Sequence, residues 1–495
     1  MYQSHQSVTS RGQAVTAIPV SQFKVINCTS MKLHNTPAKT ITDIQPQSDS
    51  QVTVYTCGPT VYDYPHIGNW FTFVRYDLLI RALKAEGLKP NWVMNITDVG
   101  HLVSDADDGE DKLERGAKRE GKTAWEVAEF YTENFLQGLQ KLNITKPDVL
   151  PKATDHIQEQ IDLVKRLEEK DFTYVIDDGV YFDTTKFPRY AEFAGLNLDE
   201  QEAGARVEVN QQKRSQTDFA LWKFSPEGQK RDMEWDNPWD QNRKGFPGWH
   251  LECSAMSMKY LGETLDIHAG GIDHIPVHHT NEIAQSEAAT GKPFVNHWMH
   301  ANHIMVEGQK ISKSLSNGIT LEDIEAKGID LRALRLLILA SHYRSQSQFT
   351  WENLQSMQSV LERFLHWSDL QFQGFESPEL AASYKSDISK FSDEISNDLG
   401  TPSALAVLNG MVTRVDELGA DSKAIGEVLT AIDAILGIGL NERKDITSQQ
   451  RDLLQRRQEA RQQKDWKLSD QLRDELATEG IGIKDTSYGQ TWFRI

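Results

Sequence analysis

Cysteine is scarce: the 495-residue chain holds three, Cys28, Cys57 and Cys253. Three thiols build no disulfide framework, and so low a count points to a reducing compartment. No apolar run approaches the roughly 20 residues that a helix needs to cross a bilayer, so no membrane-spanning helix is expected. Basic residues are outnumbered, 53 Lys and Arg against 72 Asp and Glu, for a formal charge of −19. That balance argues against indiscriminate nucleic-acid binding, whose affinity for phosphate comes from Lys and Arg. A local basic patch stays compatible with it. The first 42 residues lack Asp and Glu altogether and are rich in Ser, Thr and Gln. They also lack the apolar core of a secretory signal. We read residues 1–30 as a loose extension, with Met31 near the start of the folded chain.

What is present describes a soluble globular protein, 39% hydrophobic and 25% charged. The length exceeds one ordinary core, so three or four domains are expected. Residues 51–57 alternate and read as a strand. Gly58-Pro59-Thr60 breaks it, and an apolar periodicity from His66 to Gly87 predicts a helix with a glycine stop. A second strand follows at 91–96. Strand, helix and strand of this length make a right-handed βαβ unit, whose parallel sheet binds nucleotides at the carboxyl ends of its strands. Residues from about 123 to 215 read as an insertion, with two polar helices and a hairpin around Tyr174–Phe182. The core pattern is expected to resume at Asp218–Trp222 and to run on through Leu265–His268. Residues 352–440 read as helical throughout and suggest a bundle. A helix-rich segment, 447–479, precedes a short end that suits strands.

Four metal-ligand candidates are spread along this frame. Cys57 ends the first strand, Cys253 lies far downstream, and His278 and Glu282 follow at helical i, i+4 spacing. Two thiolates, an imidazole and a carboxylate make a tetrahedral zinc set. His279 is the alternative histidine, on another helix face. The helix opening at His66-Ile67-Gly68-Asn69 offers unpaired N–H groups to a phosphate, with Gly68 allowing close approach. Lys310 and Lys313 bracket Ser312 in a polar loop, where two lysines suit the charge on a departing pyrophosphate. Taken singly, each of these reads first as an ordinary helix start, a solvated charge run or a buried core thiol. Their joint order along one α/β core points to an enzyme that holds ATP beside a thiol.

The ordered strings Tyr55–Asp63, His66–Asn69, Asn95–Asp98, Phe219–Lys223, Gly248–Ser254, Asp266–His268, His278–Glu282 and Lys310–Ser314 resemble the cysteinyl-tRNA synthetases. These are class I aminoacyl-tRNA synthetases, and the resemblance runs from about residue 31 to the end. It implies a Rossmann-like α/β catalytic domain over 31–340 with the insertion, a helical bundle over 341–445 and an anticodon-binding domain over 446–495. It implies one Zn2+ on Cys57, Cys253, His278 and Glu282, which takes the substrate thiol as a further ligand. Thr97, Trp249 and His268 would line the amino-acid pocket. His66, Gly68, Asn69, Asp273, Lys310 and Lys313 would bind ATP, and Mg2+ would arrive with it. Catalysis would fall to His66, Asn69, Lys310 and Lys313. The implied partners are ATP, L-cysteine and tRNA(Cys), with a cytoplasmic monomer and no membrane. Arg461, Asp470 and Asp485 would read the anticodon, with Trp466 stacking; otherwise Trp466 fills the core face of an amphipathic helix.

Four strings depart from the family pattern. Asn69 stands where His is usual, and Ile311 where Met is usual. The acidic stretch Val99–Lys112 is longer, and Pro276-Val277 precedes His278 where Phe-Pro is usual. The last leaves His278 and His279 both open as ligands, with helical spacing favouring His278. Two other functions share many of these strings. A cysteine ligase acting on an amino sugar would need no Arg461–Trp492 tail, and a non-catalytic RNA-binding paralogue would show damage to the ligand set.

Overall fold

A computed structural model describes residues 31–100, 111–195, 211–228, 231–311 and 317–495. The extension 1–30, most of the acidic stretch and the Ser312–Lys313 pair lie outside them.

The alternating run Gln51–Thr56 is a strand, as its pattern predicts, in a four-stranded sheet. The sheet order is Val295–Ala301, Leu265–Gly271, Gln51–Thr56, Lys89–Met94, and every pairing is parallel. The second strand begins two residues earlier than the sequence suggests. Helix Ile67–Ala85 links the first two strands. It buries side chains around its whole circumference because the sheet covers one side and the C-terminal helices the other. Gly87, at φ +78°, turns the chain out of it. From Gln51–Thr56 the chain winds to one edge of the sheet; from Leu265–Gly271 it winds to the other. Between these two neighbours lies the switch point, and a crevice opens at their carboxyl ends.

The segment Asp218–Trp222 corrects the reading of a returning parallel core. Strand Phe219–Phe224 belongs to a separate antiparallel sheet, ordered Thr173–Ile176, Gly179–Phe182, Phe219–Phe224, Gly245–Pro247. All six of its residues are buried, because helices Ile157–Glu169 and Trp249–Leu261 cover one face and tyrosines the other. A strand covered on both faces shows no alternation, so its pattern mimics a central parallel strand. Helix Ala124–Lys141 is likewise no peripheral element. Its Phe135 stacks on Trp70 at 5.7 Å and meets Phe73 at 5.0 Å, inside the main core.

Helices Trp351–Asp369, Pro378–Ser396, Thr401–Leu418 and Ser422–Leu436 form the expected bundle and share one core with the parallel sheet. Arg335 staples the two, pairing with buried Asp77 and donating to the Leu436 carbonyl at 2.6 Å and the Leu142 carbonyl at 3.0 Å. The tail comprises helices Ser448–Gln462 and Trp466–Thr478 and the hairpin Ile481–Thr486/Gly489–Arg494 around its own small core.

Candidate active site

Both strands at the switch point lead into candidate site residues. Cys57 follows Gln51–Thr56, and its N–H donates to the Ala269 carbonyl at 3.2 Å. After Leu265–Gly271 the chain makes a short turn, Ile272–His274, then a π-helical turn, Ile275–His279, then helix Thr280–Thr290. Cys253 comes from helix Trp249–Leu261. Gly248 opens that helix against the antiparallel sheet, where a Cβ would sit 2.0 Å from the Ala220 carbonyl oxygen, so only glycine allows the contact.

The donor atoms of Cys57, Cys253, His278 and Glu282 lie within 4.8 Å of one another, and all four residues are buried. A tetrahedral ion with bonds of about 2.0–2.3 Å sets its donors roughly 3.3–3.8 Å apart, so modest closure suffices. One Glu282 oxygen is hydrogen-bonded to His268 Nε2 at 2.9 Å, and the other lies 2.9 Å from His278 Nε2 as an ion-pair contact. Burial works to raise the Glu282 carboxyl, but the His268 and His278 imidazoles hold it down at about 2. Burial pushes the Cys57 thiol up, whereas its hydrogen bond to Cys253 holds the Cys253 thiol down at about 7. Thiolate, imidazole and carboxylate therefore meet at one point, with a histidine outside gripping the carboxylate. The set fits a metal ion.

The π turn settles less than helical spacing suggests. It brings His279 inward as well as His278: His279 Nε2 is 3.4 Å from Cys57 Sγ and 3.9 Å from Glu282. Cys57, His268, His279 and Glu282 form a second cluster within the same 4.8 Å limit. The first set alone holds both thiols. His279 is also engaged by His300 at 2.7 Å, and His300 by Thr36 at 2.6 Å. Nothing in the linear spacing marks His300 or Thr36 as neighbours of this site.

A cavity of about 320 Å³ opens beside the cluster. Cys57, His66, Gly68, Asn69, Asp273, Lys310 and Ile311 all line it. Residues of both candidate nucleotide motifs and one metal-ligand candidate thus face a single space. His66 caps helix Ile67–Ala85, and its N–H donates to Asn69 Oδ1 at 3.0 Å. The Ile67 N–H donates to the Ile319 carbonyl at 2.8 Å, so the chain beyond the lysine loop docks on this helix start. A Cβ on Gly68 would meet His66 Cε1 at 2.9 Å and Ile311 Cδ1 at 3.0 Å. A methyl there would crowd both side chains because the two motifs touch, a contact the sequence does not announce. Lys310 is exposed on the two-residue strand Gln309–Lys310, and Lys313 lies outside the described residues.

Thr97, Trp249 and His268 do not line the cavity; Trp249 and His268 border the ligand cluster, and Thr97 is tied to it only through Glu252. The Trp249 ring lies 4.6 Å from His278. His268, fully buried, stacks on Trp298 at 4.6 Å behind Glu282. The Thr97 hydroxyl donates to Glu252, next to Cys253, at 3.0 Å.

In the tail, Arg461, Trp466, Asp470 and Asp485 form one surface cluster far along the chain from the cavity. Asp485 pairs with Arg461 at 3.2 Å and Arg473 at 3.5 Å, and Arg473 reaches Asp470 at 3.7 Å. Buried Arg457, missed from sequence, holds both Asp485 oxygens at 3.0 Å. That bond and the surrounding arginine charges keep the Asp485 carboxyl below its ordinary value. Trp466 is 56% exposed, with Arg461 5.5 Å above its ring, so it is not a core residue.

Comparisons with known proteins agree with this geometry. A family model described as the class I (C) tRNA synthetase catalytic domain matches residues 43–359. A second, the cysteinyl-tRNA ligase anticodon binding domain, matches 443–492. A cysteine–tRNA ligase of Treponema denticola is 42% identical over 94% of this chain and 100% of its own. One from Thermus thermophilus is 41% identical over 93% of this chain and 98% of its own. A Mycobacterium tuberculosis methionyl-tRNA synthetase with bound methionyl-adenylate superposes with a TM-score of 0.58 at 12% identity, covering 79% of this chain and 92% of that one. That likeness shows a shared fold. Relatives this similar along almost their full length leave one conclusion: the chain belongs to the cysteine–tRNA ligases, a family of class I aminoacyl-tRNA synthetases.

Proposed function

We propose that this enzyme activates L-cysteine with ATP in the switch-point cavity and transfers it to the 3′ end of tRNA(Cys). The observation that carries the reading is that Cys57, the His66 helix start and Lys310 face the same cavity. In the first step the cysteine carboxylate attacks the α-phosphate in line and pyrophosphate leaves. In the second, the terminal ribose hydroxyl attacks the adenylate carbonyl. Neither step needs a protein nucleophile, so the residues act by positioning and by stabilising charge. The His66 imidazole and the Gly68 N–H hold phosphate oxygens, since the His66, Ile67 and Asn69 N–H groups already donate within the protein. Asn69 Oδ1 fixes the His66 backbone, which makes Asn a workable residue at this position. Asp273, at the rim, contacts the nucleotide. Lys310, with Lys313 three residues further along the sequence, offsets the charge on the leaving pyrophosphate, with Mg2+ brought in by ATP.

Cys57, Cys253, His278 and Glu282 would hold Zn2+. When bound it would accept a substrate thiolate, a soft donor that serine cannot match. Thr97, Trp249 and His268 would shape the amino-acid pocket around that cluster. Asp470, Asp485 and Arg461 would read anticodon bases, with Trp466 as the exposed stacking plane. Free, buried thiols at Cys57 and Cys253 suit a reducing cytoplasm, and we take the enzyme to work there as a monomer.

The test is cysteine-dependent ATP–pyrophosphate exchange, with serine as control and Cys253→Ser alongside. Exchange with cysteine alone, lost in the variant, is expected. A zinc-loaded, folded wild-type protein with no exchange would overturn the catalytic reading.

A further inference from the structure

Arg75 is a buried cation with no carboxylate at hand. It lies in helix Ile67–Ala85 and is 1% exposed. Its donors reach only neutral acceptors: the Asn302 carbonyl at 2.9 Å, Ser347 Oγ at 2.8 Å and Ser341 Oγ at 3.2 Å. Its Nε is buried without a partner. Among the described residues nothing acidic offsets this burial, which pulls the guanidinium down to about 10. Two other large arginines are as deeply buried, and both are compensated: Arg335 has Asp77 and Arg457 has Asp485. An unpaired buried charge is among the costlier features a core can carry, and an aliphatic side chain would fill the same space at less cost. The exception calls for a counter-charge that arrives from elsewhere.

The surroundings indicate where from. Asn302, whose carbonyl Arg75 holds, lines the cavity, as do Thr72 and Tyr76 on the same helix. The guanidinium thus grips directly a residue of the cavity wall. Ser347 begins strand Ser347–Phe349, which pairs in parallel with Ile304–Val306, and that strand pairs in turn with Gln309–Lys310. The Ser347 N–H also donates to the His303 carbonyl at 3.0 Å. One side chain therefore ties the helix that opens at His66 to the strands that carry Lys310.

We propose that Arg75 is a positioning residue for adenylate formation: it locks the Asn302–Ile304 segment to the His66 helix, and its charge is matched by the polyphosphate of ATP across the Asn302 wall. The proposal rests on the adenylate-forming reading above. Charge acting through a low-dielectric wall is weakly screened, so contact is not required.

The test compares wild type with Arg75→Met, which removes the charge, and Arg75→Lys, which keeps it but loses the fork. Two readouts are needed: melting temperature with and without Mg–ATP or Mg–pyrophosphate, and kcat and KM for ATP in pyrophosphate exchange. Arg75→Met is expected to melt at or above wild type without ligand and to lose most of the ligand-induced shift. Its kcat/KM for ATP should fall by roughly ten- to a hundredfold, short of the loss of a direct donor, with part recovered in Arg75→Lys. Equal shift and rate in Arg75→Met, or a rate loss that merely follows loss of folded protein, would overturn the proposal. Should Arg75→Met not fold, Arg75→Lys decides: a retained shift supports the proposal, and a lost shift with normal melting overturns it. Absent exchange in wild type would count against the proposed function instead, while the melting shift would still report on Arg75.

Discussion

Gly68→Ala should separate stability from catalysis in this enzyme. The new methyl would lie 2.9 Å from His66 Cε1 and 3.0 Å from both His66 Nδ1 and Ile311 Cδ1, where ordinary contact begins at 3.4 Å. Either the imidazole or the Ile311 strand end must recede by up to about half an ångström to regain ordinary packing. A displacement of ~1 Å at reacting groups costs on the order of a hundredfold, so half of that projects to a fall in kcat of about tenfold. Stability moves the other way. Gly68 lies in the first turn of helix Ile67–Ala85, and alanine in a helix gains up to ~1 kcal/mol over glycine, which offsets much of the strain. The assay is steady-state ATP–pyrophosphate exchange beside thermal melting. A second change sharpens it. Ile311→Val removes Cδ1, one of the atoms in the way, so the double variant should recover part of the rate, with a coupling of at least ~0.5 kcal/mol. Wild-type kcat in Gly68→Ala, or strictly additive effects in the double variant, would refute the claim that the two motifs touch through Gly68.

Three further outcomes follow from the same structure. Cys253→Ser should weaken zinc binding beyond the roughly 10–100-fold that loss of an outer partner costs; metal content after dialysis against a chelator checks it, and full retention would remove Cys253 from the ligand set. Asp77→Asn should cost about 3–5 kcal/mol at pH 7, because it strands buried Arg335. Burial raises the Asp77 carboxyl, but Arg335 and then Arg81 hold it below its ordinary 3.8. Its contribution is therefore present above that value and is lost as pH falls through the lower, folded one. Urea titrations at pH 7 and in acid should show the cost shrinking, and a cost that is constant with pH would contradict the pairing. Trp466→Ala, at a 56% exposed site, should leave melting and pyrophosphate exchange unchanged and raise KM for tRNA by the ~1–3 kcal/mol of a lost base stack. A loss of exchange would show that Trp466 acts elsewhere than in the tail.

Much of this enzyme was legible in the order of its residues. The alternation at Gln51–Thr56, the long apolar helix after it and the glycine stop at Gly87 are local signals, and local sterics and burial set them. The four zinc-ligand candidates and both nucleotide motifs were also readable, because ligand chemistry restricts which residue types serve. Strand Phe219–Phe224 was not. A strand buried on both faces carries no period, so only its partners show which sheet it joins. The histidine question has the same character. Sequence spacing assumes a regular helix, whereas the π turn Ile275–His279 aims His279 at Cys57 as well.

By itself, then, the sequence determined most element types, the family and a set of candidate site residues, since each of these depends on residue kind and near-neighbour spacing. Only the tertiary structure decided what faces what: Gly68 against Ile311, Arg457 beneath Asp485, Arg75 without a carboxylate behind the cavity wall. Those contacts join residues far apart in the chain. They arise because burial brings distant surfaces together and because a buried charge must be answered by whatever the fold, or a ligand, places beside it.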